Sequence, residues 1–206
     1  MPKIIFIHGL GQTQYSWNKT IAHLSKHIEI VTFNLSASCN RNEITYNDLY
    51  AAFEEYCSSI SEPLNLCGIS LGAVLALNYA IEHPQKVNSL FLIAPQYKMP
   101  QLLLKFQNLL FHFMPNSCFR KMEFGKRNFI LLTKSMENLD FSNKVTHISC
   151  SPFIICGKKD KANLRAAKEL ADSIPQATLY LIENAGHEVN IDKPKELANI
   201  INCFFS

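Results

Sequence analysis

No C-x-x-C pair occurs in this sequence, although seven cysteines (39, 57, 67, 118, 150, 156 and 203) are spread singly along it. Zinc sites are commonly built on such closely spaced pairs, so zinc is not expected. Long apolar runs are missing too. The longest apolar-dominated stretch, residues 102–114, is interrupted by Lys105, Gln107, Asn108 and His112, whereas spanning a bilayer takes about 20 apolar residues. No transmembrane segment is therefore expected. The absence of fixed-period repeats and low-complexity segments argues against a solenoid or a disordered chain. With an odd cysteine count and no apolar leader before the run Lys3-Ile4-Ile5-Phe6-Ile7, reduced thiols and a cytoplasmic location are the expectation.

Acidic residues are scarce in one region. Between Tyr97 and Ser135 the basic residues 98, 105, 120, 121, 126, 127 and 134 face the single acid Glu123. A solvated face is the plainer reading of this block; attraction of anionic substrates or of a membrane surface is the sharper one. The formal net charge of the whole chain is only +3, and no nucleic-acid partner is expected.

What is present is ordinary globular material, 206 residues with 48% hydrophobic and 18% charged. One domain over residues 1–206 fits this length, and it buries on the order of 70% of its unfolded surface. Short apolar runs rich in Ile, Val, Phe and Leu recur at residues 3–7, 28–33, 64–69, 87–94, 152–156 and 178–182. Amphipathic stretches lie between them. Thr45 with Asp48 three residues on forms a capping signal ahead of the stripe Leu49, Ala52, Phe53, Tyr56 and Ile60. Residues 71–83 are nearly all apolar, residues 164–174 carry another stripe, and Pro194 opens a last one ending in Phe204. Strands alternating with helices of this length predict a three-layer α/β/α sandwich around a mainly parallel six-stranded sheet. Residues 97–147 break the rhythm with apolar helical patterns at 102–114 and 129–136. An excursion of this length from the functional edge of a sheet reads as a helical lid.

Where the third apolar run hands over to the helical stretch, Gly68-Ile69-Ser70-Leu71-Gly72 places a serine between two glycines. This is the G-x-S-x-G pattern of a nucleophile elbow, whose strained turn lifts the hydroxyl off the sheet. A serine hydroxyl needs a base within hydrogen-bond reach, oriented in turn by a carboxylate. Of seven histidines, His187 follows a late strand in the small-residue turn Asn184-Ala185-Gly186-His187, and Asp160 follows the strand before it in Gly157-Lys158-Lys159-Asp160. Asp192 and Glu188 lie too close to His187 in sequence to occupy a separate strand end. The order Ser, Asp, His at successive strand ends resembles the α/β-hydrolase fold.

The resemblance extends to His8-Gly9-Leu10-Gly11, similar to that family's His-Gly turn after its first central strand. It implies an oxyanion hole formed by the backbone amides of Leu10 and Leu71, with Ser70 as nucleophile, His187 as base and Asp160 as its orienting acid. Trp17 falls where related hydrolases often carry a buried aromatic. Two departures stand out: the family's two antiparallel leading strands are missing, giving a short six-stranded form, and Asn34 to Asn40 replace the Asp-x-x-Gly-x-Gly-x-Ser turn of many relatives.

Plainer readings accompany these residues: a turn serine, a capping or surface histidine, and for Asp160 a cap on the helix that follows. His8 is expected to shape its turn, and His112 to pack or touch substrate. The implied function is a serine hydrolase acting on a small or medium acyl ester or thioester, anionic or lipophilic, and this reading implies no metal or organic cofactor. Lyase, acyltransferase or peptidase chemistry on the same triad is the alternative, and a ligand-binding module on a hydrolase scaffold is the rival of another class. No oligomeric state is assigned.

Overall fold

In the computed structural model, residues 1–39, 42–119 and 124–206 are described. Asn40 and three residues of the basic stretch, Arg120, Lys121 and Glu123, lie outside them.

Six strands form one sheet: β1 (Lys3–Ile7), β2 (Glu29–Phe33), β3 (Leu64–Ile69), β4 (Val87–Ile93), β5 (Pro152–Gly157) and β6 (Thr178–Ile182). Their order is β2-β1-β3-β4-β5-β6 and all five pairings are parallel, so the sheet is wholly rather than mainly parallel. The helices are α1 (Asn18–Ile21), α2 (Tyr46–Ser58), α3 (Leu71–Glu82), α4 (Gln101–Phe113), α5 (Lys126–Ser135), α6 (Leu164–Ser173), α7 (Val189–Asp192) and α8 (Pro194–Phe205). The capping signal at Thr45 is realised as a reciprocal box, with the Thr45 side chain accepting from the Asp48 amide and Asp48 accepting from the Thr45 amide.

Strand side chains alternate between two cores, as the pleat demands. Ile5, Ile7, Leu66, Leu90 and Leu92 pack with Leu49 and Phe53 of α2 and Leu75 of α3. Ile4, Phe6, Cys67, Ile69, Phe91 and Ile93 pack on the other face with Trp17, Leu197 and Ile201. Each such large side chain, removed from water, stabilises the fold by about 1.5–3 kcal/mol. Trp17 is fully buried, 4.8 Å from Phe6 by ring centroids, at the end of a 3-10 turn (Gln14–Trp17) that runs directly into α1. The central strands, buried on both faces, leave one open edge to build on: the carboxyl ends.

The helical excursion leaves after β4 and returns ahead of β5. Its base is pinned by antiparallel backbone bonds, Met99 N–H to Leu139 O at 2.9 Å and Phe141 N–H to Tyr97 O at 2.8 Å. Within it, α4 packs on α5.

Candidate active site

Ser70 sits between β3 and α3 with φ 54° and ψ −115°. A left-handed φ on a residue with a Cβ is strained by on the order of 1–3 kcal/mol and persists only where the surroundings hold it. They do here: Ser70 N–H donates to Ile93 O at 2.9 Å, Val74 N–H donates to Ser70 O at 3.0 Å, and β3 is central in the sheet. The flanking glycines make the turn fit. A Cβ added at Gly72 would lie 2.2 Å from the Ile7 carbonyl oxygen, and one at Gly68 would lie 2.2 Å from the Gly72 carbonyl oxygen. Both contacts are with backbone, which cannot swing aside. Leu71 opens the 12-residue α3, whose first amides have no intrahelical acceptor and sit at the positive end of the dipole.

Asp160 and His187 come together as the sequence pattern anticipates. Asp160 Oδ2 lies 2.8 Å from His187 Nδ1, with the carboxylate side chain only 5% exposed and the imidazole 43% exposed. The helix-cap reading of Asp160 does not hold, because α6 starts only at Leu164 with Asn163 as its N-cap; the Asp160 Oδ1 accepts from the Asn163 amide at 3.3 Å within the turn that precedes the helix. Burial pushes the Asp160 carboxyl upward, but hydrogen bonds from His187 and Asn163 outweigh it and hold the group below its ordinary value.

Sequence reading missed Asn163. Its Nδ2 donates to Asp160 Oδ1 at 2.9 Å and Oδ2 at 2.8 Å, and lies 3.0 Å from His187 Nδ1. Its Oδ1 accepts from Gln96 Nε2 at 2.7 Å, which fixes which end of the amide faces the carboxylate. The spacing Asp160-x-x-Asn163 was the available signal; Gln96, 67 residues away in sequence, had none.

The two loops flanking Ser70 are stitched to each other. Gln12 Nε2 donates to Glu188 Oε1 at 2.8 Å and to Asn190 Oδ1 at 3.2 Å, while Gly186 N–H donates to Asp192 Oδ2 at 2.7 Å. Lys159 N–H donates to Ala185 O at 2.9 Å, joining the Asp160 and His187 turns. Asp192 and Glu188, set aside as triad acids, thus brace the His187 loop. His8 is fully buried, and its Nε2 accepts from the Leu35 amide at 3.3 Å, which places its proton on Nδ1, 3.0 Å from Gly9 O. It shapes the turn, as expected. His112 differs from expectation: it is exposed and its Nδ1 bonds the Asn108 carbonyl one turn back at 2.8 Å, off the cavity wall. The apolar arc of α4 passes beside it, not through it.

Ser70, Leu10, Leu71, Asp160 and His187 all line one cavity of about 640 Å³. The rest of its wall is mostly apolar and comes largely from the helical excursion, including Leu104, Phe129 and Met136.

The sequence profile of the alpha/beta hydrolase family matches residues 4–200. The chain belongs to the alpha/beta hydrolase family. Among its relatives is the monoacylglycerol lipase abhd6-B of Xenopus laevis, 22% identical over 261 residues that span 100% of this chain and 75% of the relative. The pimeloyl-[acyl-carrier protein] methyl ester esterase of Aeromonas hydrophila is 27% identical over 96 residues, 45% of this chain and 37% of that one. A hydrolase from Pseudomonas aeruginosa superposes with a TM-score of 0.86 at 15% identity, covering 100% of this chain and 90% of that chain. An esterase from Thermogutta terrifontis gives 0.82 at 15% identity, with 100% and 89% covered. The alpha/beta hydrolase sheet, with helices on both faces, is thus the architecture of this chain, and with its lipase and esterase relatives it is an α/β-fold serine hydrolase.

Proposed function

We propose that this hydrolase cleaves carboxylic esters of lipophilic acyl groups through an acyl-enzyme on Ser70. The observation that carries the proposal is the 2.8 Å contact between Asp160 Oδ2 and His187 Nδ1, on the wall of the same cavity as a serine held at φ 54°. His187 takes the proton of Ser70 as the hydroxyl attacks the ester carbonyl, and the amides of Leu10 and Leu71 hold the oxyanion that forms. The same proton then goes to the departing alcohol. Water repeats the sequence in reverse and releases the acid. Asp160, kept ionised by Asn163, fixes the imidazole tautomer and stabilises its charged form without taking the proton itself.

The substrate class follows from the cavity wall. Among the described residues no lysine or arginine lines it, while Val74, Met99, Leu104, Phe129 and Met136 do. That lining favours a lipophilic acyl chain over an anionic one, and the lipase and esterase names among the relatives are in keeping with it. The excursion over residues 97–147 acts as the lid that supplies most of this wall. Cys57, Cys67 and Cys156 are buried thiols in the apolar core, in keeping with a reduced setting.

Ser70→Ala tests the proposal. Ester turnover falls by on the order of 10⁴- to 10⁶-fold and covalent labelling by a fluorophosphonate disappears. Near-native turnover in that variant would remove Ser70 from the mechanism; a wild-type protein that binds small molecules but neither labels nor turns over would be a binding module.

A further inference from the structure

Exposed large apolar side chains are concentrated on one helix. Among the described residues eight are strongly exposed, and six of these lie on α4: Leu102, Leu103, Phe106, Leu109, Leu110 and Phe113, with Leu102 84% and Phe113 80% exposed. At 100° per residue they fall within an arc of about 120°, so they form one continuous face. Water-exposed patches of this kind on a single chain mark an interaction surface.

Two features of the face say what it meets. The first is charge: α4 and its neighbour α5 together carry Lys105, Lys126, Arg127 and Lys134 and no acidic residue. The second is continuity, since Leu103, Phe106 and Leu110 belong both to the exposed face and to the cavity wall. A protein seated on the face would close the mouth that a lipophilic ester must enter. A lipid phase would instead supply that ester through it. With 13 residues, α4 is about 20 Å long, and no helix among the described residues is long and apolar enough to cross a membrane. It fits a helix lying in the plane of an interface, apolar side down and lysines at headgroup level.

We infer that the α4 face docks on a lipid surface bearing anionic headgroups, placing the cavity mouth against the acyl region. The inference adds to the ester-hydrolase reading and rests on it for the substrate, but docking itself needs no chemistry at Ser70. Lys126 already caps α4 through the carbonyls of His112 and Met114, and Arg127 pairs with Glu43. Lys105, on the flank of the arc, is the cation best placed to reach headgroups.

The test is co-sedimentation of the full chain with vesicles of phosphatidylcholine alone and of phosphatidylcholine mixed with phosphatidylglycerol. Wild type is expected to bind the mixed vesicles more strongly, and the excess is expected to fade with salt. The combined variant Leu102→Gln, Leu109→Gln, Phe113→Gln should lose about tenfold or more of that binding. These three residues are off the cavity wall, so kcat/KM on a soluble short-chain ester should stay within about twofold of wild type, which also reports correct folding. Ser70→Ala should bind vesicles as wild type does, so failure of the catalytic reading and failure of docking are separable. Absence of wild-type binding to both vesicles at low salt would overturn the inference. So would a solution dimer, seen by light scattering, that the triple variant abolishes, because a second copy would then own the face.

Discussion

Replacing Asn163 by Ala removes both side-chain donors that Asn163 gives Asp160, at 2.9 and 2.8 Å, and leaves His187 as that carboxylate's remaining side-chain partner. Hydrogen bonds to a charged group are worth about 1.5–3 kcal/mol net. With the Asp160 side chain only 5% exposed, water replaces them poorly. A loss of about 2 kcal/mol at neutral pH is expected, or about 4–8 °C in Tm for a chain of this size. The loss has a pH signature. Asn163 helps hold the Asp160 pKa below 3.8, so its contribution is fully present above that value and is lost as pH falls through the lower, folded-state pKa. Urea unfolding of wild type and variant at neutral pH and at progressively acid pH reads the difference, which should shrink as Asp160 is protonated in both. Turnover should fall by roughly tenfold, as expected if about 1.4 kcal/mol of imidazole orientation is lost, with KM little changed; Asn163→Asp should not rescue it. Equal stability at neutral pH, or a destabilisation that persists undiminished in acid, would refute the assignment of Asn163 as the residue that positions Asp160.

Gly72→Ala should destabilise the fold by about 1–3 kcal/mol and depress activity, because its Cβ would sit 2.2 Å from the Ile7 carbonyl oxygen; a urea midpoint unchanged from wild type would contradict the close approach of α3 to β1. In an acyl-length series of p-nitrophenyl esters, kcat/KM should rise by up to about fourfold per added methylene, the equivalent of about 0.8 kcal/mol each, until the apolar part of the cavity is filled. A flat profile would count against the cavity as the acyl site.

Strand positions, the three layers and the meeting of Ser70, Asp160 and His187 on one cavity wall were legible because each depends on local pattern: apolar runs, a glycine-flanked serine, and short turns after late strands. Boundaries moved by a residue where backbone geometry intervened. The fourth run ends at Ile93, since Ala94 turns left-handed at φ 47°. The supports of the site were not legible. Gln12 meets Asn190 across 178 residues and Gln96 meets Asn163 across 67, and no periodicity encodes contacts between loops brought together by a sheet. The α4 stripe shows a different limit. An apolar arc at helical spacing reads the same whether a core covers it or solvent does, and only the fold reveals that six of its side chains face outward. The basic block likewise gave its sign but not its place, and its described members stand off the cavity wall.

The central claim is a covalent acyl-enzyme on Ser70. Rapid quenching of the protein with a p-nitrophenyl ester, followed by intact-mass measurement and peptide mapping, tests it directly. The account predicts one acyl adduct, on the peptide carrying Ser70, formed in a burst and absent from Ser70→Ala. Steady turnover with no adduct, or an adduct on another residue such as Cys39, would contradict it.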